Sequence, residues 1–183
     1  LLSDWVAQIP AFSPGGHRIS KPNRRKRLLF VRYADDFVVL HPDKEIVESA
    51  KTLIEEFLKT MSLELHEGKT RITHTYLSVD NQRPGFKFLG FWIRNYTVGK
   101  TKRGKRGAEY KTFIRPHHQN ISDVLRKVKE VLRQNRDVIT IVKRLNPIIR
   151  GWANYFSTVA SKRTFSAMDS NLMVQLMRWG KRK

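Results

Sequence analysis

The sequence predicts an α+β chain in two parts, antiparallel hairpins with a covering helix over residues 1–115 and an all-α bundle over residues 116–183. Three observations carry that expectation. Leu28 to Leu40, LLFVRYADDFVVL, sets two apolar, β-branched and aromatic runs around the acidic pair Asp35 and Asp36, the pattern of a hairpin with a polar tip. From Arg94 to Arg115 the composition shifts to Lys, Arg and Gly. Beyond that stretch, apolar residues recur every three or four positions to the end of the chain, which is helical spacing.

Composition narrows the partners. A chain of 183 residues that is 40% hydrophobic, with four Trp and ten Phe, can bury a core. Its 36 Lys and Arg against 16 Asp and Glu leave a formal charge of +20, far more than solubility needs, so a polyanion is expected and nucleic acid is the first choice. No apolar run approaches 18 residues and no signal-like start is present, so neither a membrane partner nor secretion is expected. Cysteine is absent, which excludes disulfides and Cys-ligated zinc within these residues and fits a reducing compartment.

In chain order, residues 1–21 give only a short apolar string before Pro and Gly. Arg24, Arg25, Lys26 and Arg27 follow directly before the hairpin, either a solvated loop or, as preferred here, a phosphate contact. Side chains alternate along a strand, so adjacent aspartates converge on one ion only at a bend. Asp35 and Asp36 therefore belong at the turn, where Asp-rich chemistry is also ordinary. Two carboxylates about 4 Å apart repel by about 4 kcal/mol at an effective dielectric of 20, a repulsion that hard divalent cations relieve. Asp43 is placed to cap a helix whose face runs Ile46, Val47, Ala50, Leu53, Ile54, Phe57, Leu58 and Met61. Leu63 to Leu65 reads as extended, Gly68 as a turn, and Thr70 to His74 as a strand by alternation. Phe86 to Ile93, FKFLGFWI, reads as one further strand, with Gly90 marking close approach of another backbone.

The stretch holding Lys100, Lys102, Arg103, Lys105 and Arg106 reads as a basic hairpin loop and a boundary, or as a linker that orders on RNA. Ser122 is placed to cap a first bundle helix bearing Val124, Leu125, Val128, Val131 and Leu132. Val138 to Leu145 begins a second, Asn146-Pro147 starts a third with Gly151 leaving room for contact, and a last begins near Thr164. Its Met and aromatic stripe, with Met168, Met173 and Met177, is expected in the core.

These pieces, read together, resemble a group II intron-encoded reverse transcriptase/maturase. Tyr33-Ala34-Asp35-Asp36 is similar to the YADD box of reverse transcriptases, a tetrapeptide that arises by chance in roughly one chain in a thousand of this length. Leu63-Glu64-Leu65 with Gly68-Lys69-Thr70 resembles the following palm motif, and Phe88-Leu89-Gly90-Phe91 the primer grip. Leu145 to Phe156, LNPIIRGWANYF, resembles the maturase-specific thumb and is the most specific of the four.

The resemblance implies that residues 1–115 are the C-terminal part of a palm with primer grip and basic loop, and residues 116–183 a thumb, or maturase-specific (X), domain. It implies that Asp35 and Asp36 help hold two Mg2+ ions and that Lys69 lies near the incoming nucleotide's phosphates, a solvated lysine being the plain alternative. Phe88, Leu89, Gly90 and Phe91 would position the primer end. Arg144, Arg150, Lys162, Arg163 and Arg178 would grip structured intron RNA by backbone and shape. The family's third carboxylate lies upstream of the hairpin, and Asp4 is the only acidic residue before Asp35. A fragment, a split polypeptide completed by a chain carrying fingers and upstream palm, or a domesticated remnant all fit that departure.

Two function classes follow. The first is an RNA-directed DNA polymerase and splicing maturase of a retroelement, acting on primer-template and intron RNA and inactive as this chain alone. The second is a non-catalytic RNA-binding maturase or ribonucleoprotein component. A CRISPR-associated reverse transcriptase shares the palm motif but not the thumb. The expected home is a bacterial cytoplasm or an organelle.

Overall fold

In a computed structural model of the chain, residues 4–5, 19–79, 81–99 and 109–182 are described. Packing groups the residues into two compact units, Leu1–Thr73 and His74–Lys183, each taken by itself below.

In the first unit, a short helix α1 (Lys21–Arg27) begins with Pro near its start, where a missing N–H costs nothing. The basic run is therefore helical, not the loop expected, because four helix-tolerant cations follow Pro22 and Asn23. The hairpin expected around the aspartates forms as β1 (Leu29–Tyr33) and β2 (Asp36–Leu40), antiparallel, with Leu29 opposite Leu40 and Tyr33 opposite Asp36. Helix α2 (Lys44–Lys59) follows and packs on β2. Its stripe buries Ile46 and Ala50, while Phe57 and Met61 stay 48% and 47% exposed. Leu28 and Ile46 form a small core with Trp5 and Val39 against it. All five residues of β1 are exposed. Asp43 occupies the cap position without a capping hydrogen bond from its side chain. His41 Nδ1 instead accepts the Asp43 N–H at 3.0 Å.

No strand forms at Leu63–Leu65 or at Thr70–His74. Alternation chooses faces, but a strand also needs a run of hydrogen bonds to a neighbouring strand, and neither segment belongs to a sheet among the described residues, although the His74 carbonyl accepts the Gly85 N–H at 2.8 Å. The turn at Gly68 does form, with the N–H groups of Lys69 and Thr70 both donating to the His66 carbonyl at 3.0 and 2.9 Å.

The second unit joins a three-stranded antiparallel sheet to a helical bundle. The expected single strand from Phe86 to Ile93 is a hairpin, β3 (Phe86–Phe88) and β4 (Phe91–Thr97), with Phe88 opposite Phe91. Leu89 and Gly90 have φ of 47° and 80°, and positive φ at both central residues is the type I′ geometry that matches strand twist. Strand β5 (Tyr110–Pro116) completes the sheet, pairing Phe91 with Pro116 and Thr97 with Tyr110. The expected basic hairpin thus has regular arms, and its tip, with Lys100, Lys102, Arg103, Lys105 and Arg106, lies outside the described residues.

Helix α3 (His118–Gln134) starts earlier than Ser122, because the His117 ring accepts the Gln119 N–H at 3.2 Å and caps it. The two helices expected on either side of Asn146 are one, α4 (Val138–Phe156), capped by Asp137 through the Thr140 N–H at 2.7 Å and running through Pro147. The loss of one N–H is tolerated because Ile141 and Leu145 before the proline and Phe156 after it are all buried. Nothing lies within 4 Å of a Cβ placed on Gly151, so this glycine makes no close contact. Helix α5 (Lys162–Gly180) begins two residues before Thr164. Val124, Val128, Leu132, Ile141, Leu145, Met168 and Leu172 form the core. Met173 and Met177, expected with them, are 56% and 59% exposed, since α5 turns Met168 and Leu172 to the core and leaves its other face in solvent.

Candidate functional site

The first candidate is the hairpin tip. Ala34 and Asp35 make the two-residue turn, and Asp36 opens β2. Ala34 has φ of 53° while Asp35 does not share a positive φ, the II′ pattern that normally takes Gly first. Holding an alanine there costs about 1 to 3 kcal/mol, strain stored where it aims two adjacent carboxylates outward. Asp35 and Asp36 are exposed. Among the described residues no cluster of three or more His, Cys, Asp or Glu is brought together to hold a metal. An outward pair of carboxylates fits a hard divalent ion but supplies only part of its shell. Lys69 is exposed in its turn. Its ammonium group makes no ion pair among the described residues.

The second candidate is the Leu89–Gly90 turn, clasped from two helices. The Gly90 carbonyl accepts the His117 N–H at 2.9 Å and the Asn120 amide at 2.6 Å. The Leu89 carbonyl accepts the Tyr155 hydroxyl at 2.9 Å. Phe91 stacks on Tyr155, centroids 5.2 Å apart and planes 22° apart, and meets Phe156 edge-on at 5.1 Å. A Cβ on Gly90 would lie 2.7 Å from Asn120 Nδ2, so the close approach expected there is made by a side chain, not a backbone. Asn120 and Tyr155 carry this arrangement, and the sequence reading gave neither a site role. Only the proximity of Tyr155 to Trp152 in an aromatic-rich helix hinted at it.

The third is a sheet face that sequence reasoning missed. The register sets Lys87, Trp92 and Arg115 across from one another, then Arg94 with Phe113, then Tyr96 with Lys111. Alternation turns these residues to the face opposite Phe91. The guanidinium carbons of Arg94 and Arg115 lie 4.7 and 5.0 Å from the Tyr96 ring centre, and Lys111 Nζ lies 5.7 Å from that of Phe113. Arg94 Nε is buried without a hydrogen-bond partner. Interleaved cations and rings have the chemistry to stack bases and meet phosphates of a single strand. Reading β4 and β5 as a pair, residue against residue, is the signal that would have found it.

The remaining basic residues separate. Arg24 is only 4% exposed, so it is not an open phosphate contact. Arg27 is exposed, and of Arg25 and Lys26 only the backbone is described. Arg144, Arg150, Lys162, Arg163 and Arg178 are all exposed on helices. Lys162 and Arg163 stand in the first turn of α5 with no acid there, against the helix dipole by about 0.3 to 1 kcal/mol each. Fold stability therefore does not explain them.

Residues 14–93 match the family model of the reverse transcriptase (RNA-dependent DNA polymerase), and residues 121–183 that of the group II intron, maturase-specific domain. Together the two matches support a group II intron-encoded reverse transcriptase/maturase. No curated protein matches it. In this reverse transcriptase/maturase the two matches meet physically at the clasp, where Phe91 of the first stacks on Tyr155 of the second. No helix among the described residues is long and apolar enough to cross a membrane.

Proposed function

We propose that the chain is the catalytic-turn, primer-gripping and thumb portion of an RNA-directed DNA polymerase that is also the splicing maturase of a group II intron. On this reading residues 1–115 serve as palm and residues 116–183 as thumb, in a bacterial cytoplasm or an organelle. One observation carries it: a strained two-carboxylate turn tops a hairpin whose first strand is exposed along its whole length. Leu29, Phe30 and Val31 are 51%, 44% and 38% exposed, an apolar strand whose outer edge has no strand partner among the described residues and that suits pairing with a further palm segment.

Asp35 and Asp36 would hold magnesium, with a third carboxylate from that segment. When bound, the metal makes the primer hydroxyl a better nucleophile and neutralises the leaving pyrophosphate. Lys69 would offer its charge to the phosphates of the incoming nucleotide. The clasped Leu89–Gly90 turn would fix the primer end, and the face bearing Trp92, Arg94, Tyr96 and Arg115 would carry backbone and bases of the primer-template. Arg144, Arg150, Lys162, Arg163 and Arg178 would bind intron RNA.

The test supplies a polypeptide carrying fingers and upstream palm in trans and measures templated DNA synthesis. Synthesis by the complex, lowered by orders of magnitude in Asp36→Asn with RNA affinity unchanged, is the expected result. A stable complex that binds RNA and makes no DNA would overturn the polymerase half. It would favour the second reading, a non-catalytic RNA-binding maturase.

A further inference from the structure

Where α3 and α5 end side by side, they enclose a cleft of about 650 Å³, within the size range of small-molecule and nucleotide sites. Lys129, Arg133, Arg136, Arg178 and Arg182 line it, with no carboxylate among the lining residues. Helix ends explain part of this, since each C-terminus carries about half a negative charge. Two such ends call for about one cation in total, and five are present. None of the five forms an ion pair among the described residues. Four are arginines, whose planar forks suit phosphate oxygens better than an ammonium does.

The rest of the cleft is built for something beyond an anion. Trp179 Nε1 donates to the Asn135 carbonyl at 3.1 Å, and Asn135 Nδ2 donates to the Val131 carbonyl at 2.7 Å. Those bonds fix the indole in the wall. Gln175 Oε1, on the same wall, is buried without a hydrogen-bond partner, so a ligand bringing an N–H would satisfy it.

We infer that this cleft takes one unstacked nucleotide of single-stranded or looped RNA, its phosphate on the arginines and its base against Trp179 with an N–H given to Gln175 Oε1. The inference rests on the RNA-binding reading above and adds a discrete pocket to it. An acidic peptide would answer the charges but would bring no base to the cleft.

The test is fluorescence anisotropy on the 183-residue chain with a single-stranded RNA 12-mer and a 12-mer of equal charge carrying abasic riboses, at several salt concentrations. Wild type should bind the abasic strand about tenfold more weakly, and Gln175→Leu should narrow that gap. Arg133→Gln with Arg178→Gln should weaken the intact strand about tenfold and lower the salt slope by about 1.4, at roughly 0.7 per phosphate contact. Both arginines are exposed. If that pair nevertheless melts early, Arg136→Gln with Arg182→Gln makes the same test. Equal binding of the two strands by wild type, or competition by polyglutamate as strong as by RNA, would overturn the nucleotide site. Variants that bind RNA like wild type would sink the cleft and leave the proposed function standing. A wild-type chain that binds no RNA would sink both.

Discussion

The hydroxyl of Tyr155 donates to the carbonyl of Leu89, 66 residues earlier in the chain, and so ties helix α4 to the Leu89–Gly90 turn. Tyr155→Phe keeps the stack on Phe91 and removes only this bond, at a cost of about 1 kcal/mol. Gly90→Ala forces a side chain into φ of 80° and onto Asn120, at about 1 to 3 kcal/mol. Both should lower the melting temperature, Gly90→Ala more. In the complemented enzyme Tyr155→Phe should also reduce primer extension more than RNA affinity, and equal effects on both would remove the turn from the primer's path.

The Ala34 turn gives a prediction of opposite sign. Ala34→Gly relieves the positive φ and should stabilise the hairpin, by up to about 1 kcal/mol after the added freedom of the unfolded chain is subtracted. Urea denaturation measures it. A loss of stability would mean that the alanine is not strained.

Gly151 stands exposed in the interior of α4 with nothing within 4 Å of its Cβ position. Gly151→Ala should therefore stabilise the helix by about 0.5 to 1 kcal/mol. A thermal melt shifted downward would contradict the open space seen there. A stability gain accompanied by lost RNA affinity would assign the glycine to close approach of RNA.

His41 adds a pH dependence. Burial lowers its pKa below the usual 6.5, the largest influence, while its hydrogen bond to the Asp43 backbone and the Asp43 charge oppose the shift. A histidine with a depressed folded pKa binds protons less readily folded than unfolded, so stability is complete above pH 6.5 and declines as pH falls below it. Urea midpoints taken from pH 7.5 to 5 should show that decline. His41→Asn, which can still accept the Asp43 N–H, should flatten it, and an unchanged decline would place its origin elsewhere.

What could be read in the sequence was local. The hairpin, helix α2 and the core face of α3 follow from alternation or helical spacing alone and form where expected, but the hairpin turns on Ala34 and Asp35 with Asp36 already in β2, and Met173 and Met177 of α5 stay outside the core. Asn146-Pro147 has the chemistry of a helix start, yet buried residues on both sides hold one helix through it, a tertiary effect no dipeptide encodes. Gly90 reads as a close approach inside one continuous strand. That it turns depends on Asn120 and Tyr155, which are 30 and 65 residues away in sequence. The cation and ring face needed a pairing register, since Arg94 and Phe113 share a surface only once β4 and β5 are aligned.

Helix α4 runs without a break from the bundle core at Ile141 to the clasp at Tyr155, a span of about 21 Å at 1.5 Å per residue. A jointed chain would let those two ends move separately, whereas a continuous rod acts as a lever. Pivoting it by about 3° at the core displaces the Tyr155 end by about 1 Å, which is the scale at which misplacing a reacting group costs about a hundredfold in rate. Intron RNA pressing on the bundle and the primer end resting on the Leu89–Gly90 turn would therefore bear on opposite arms of one beam.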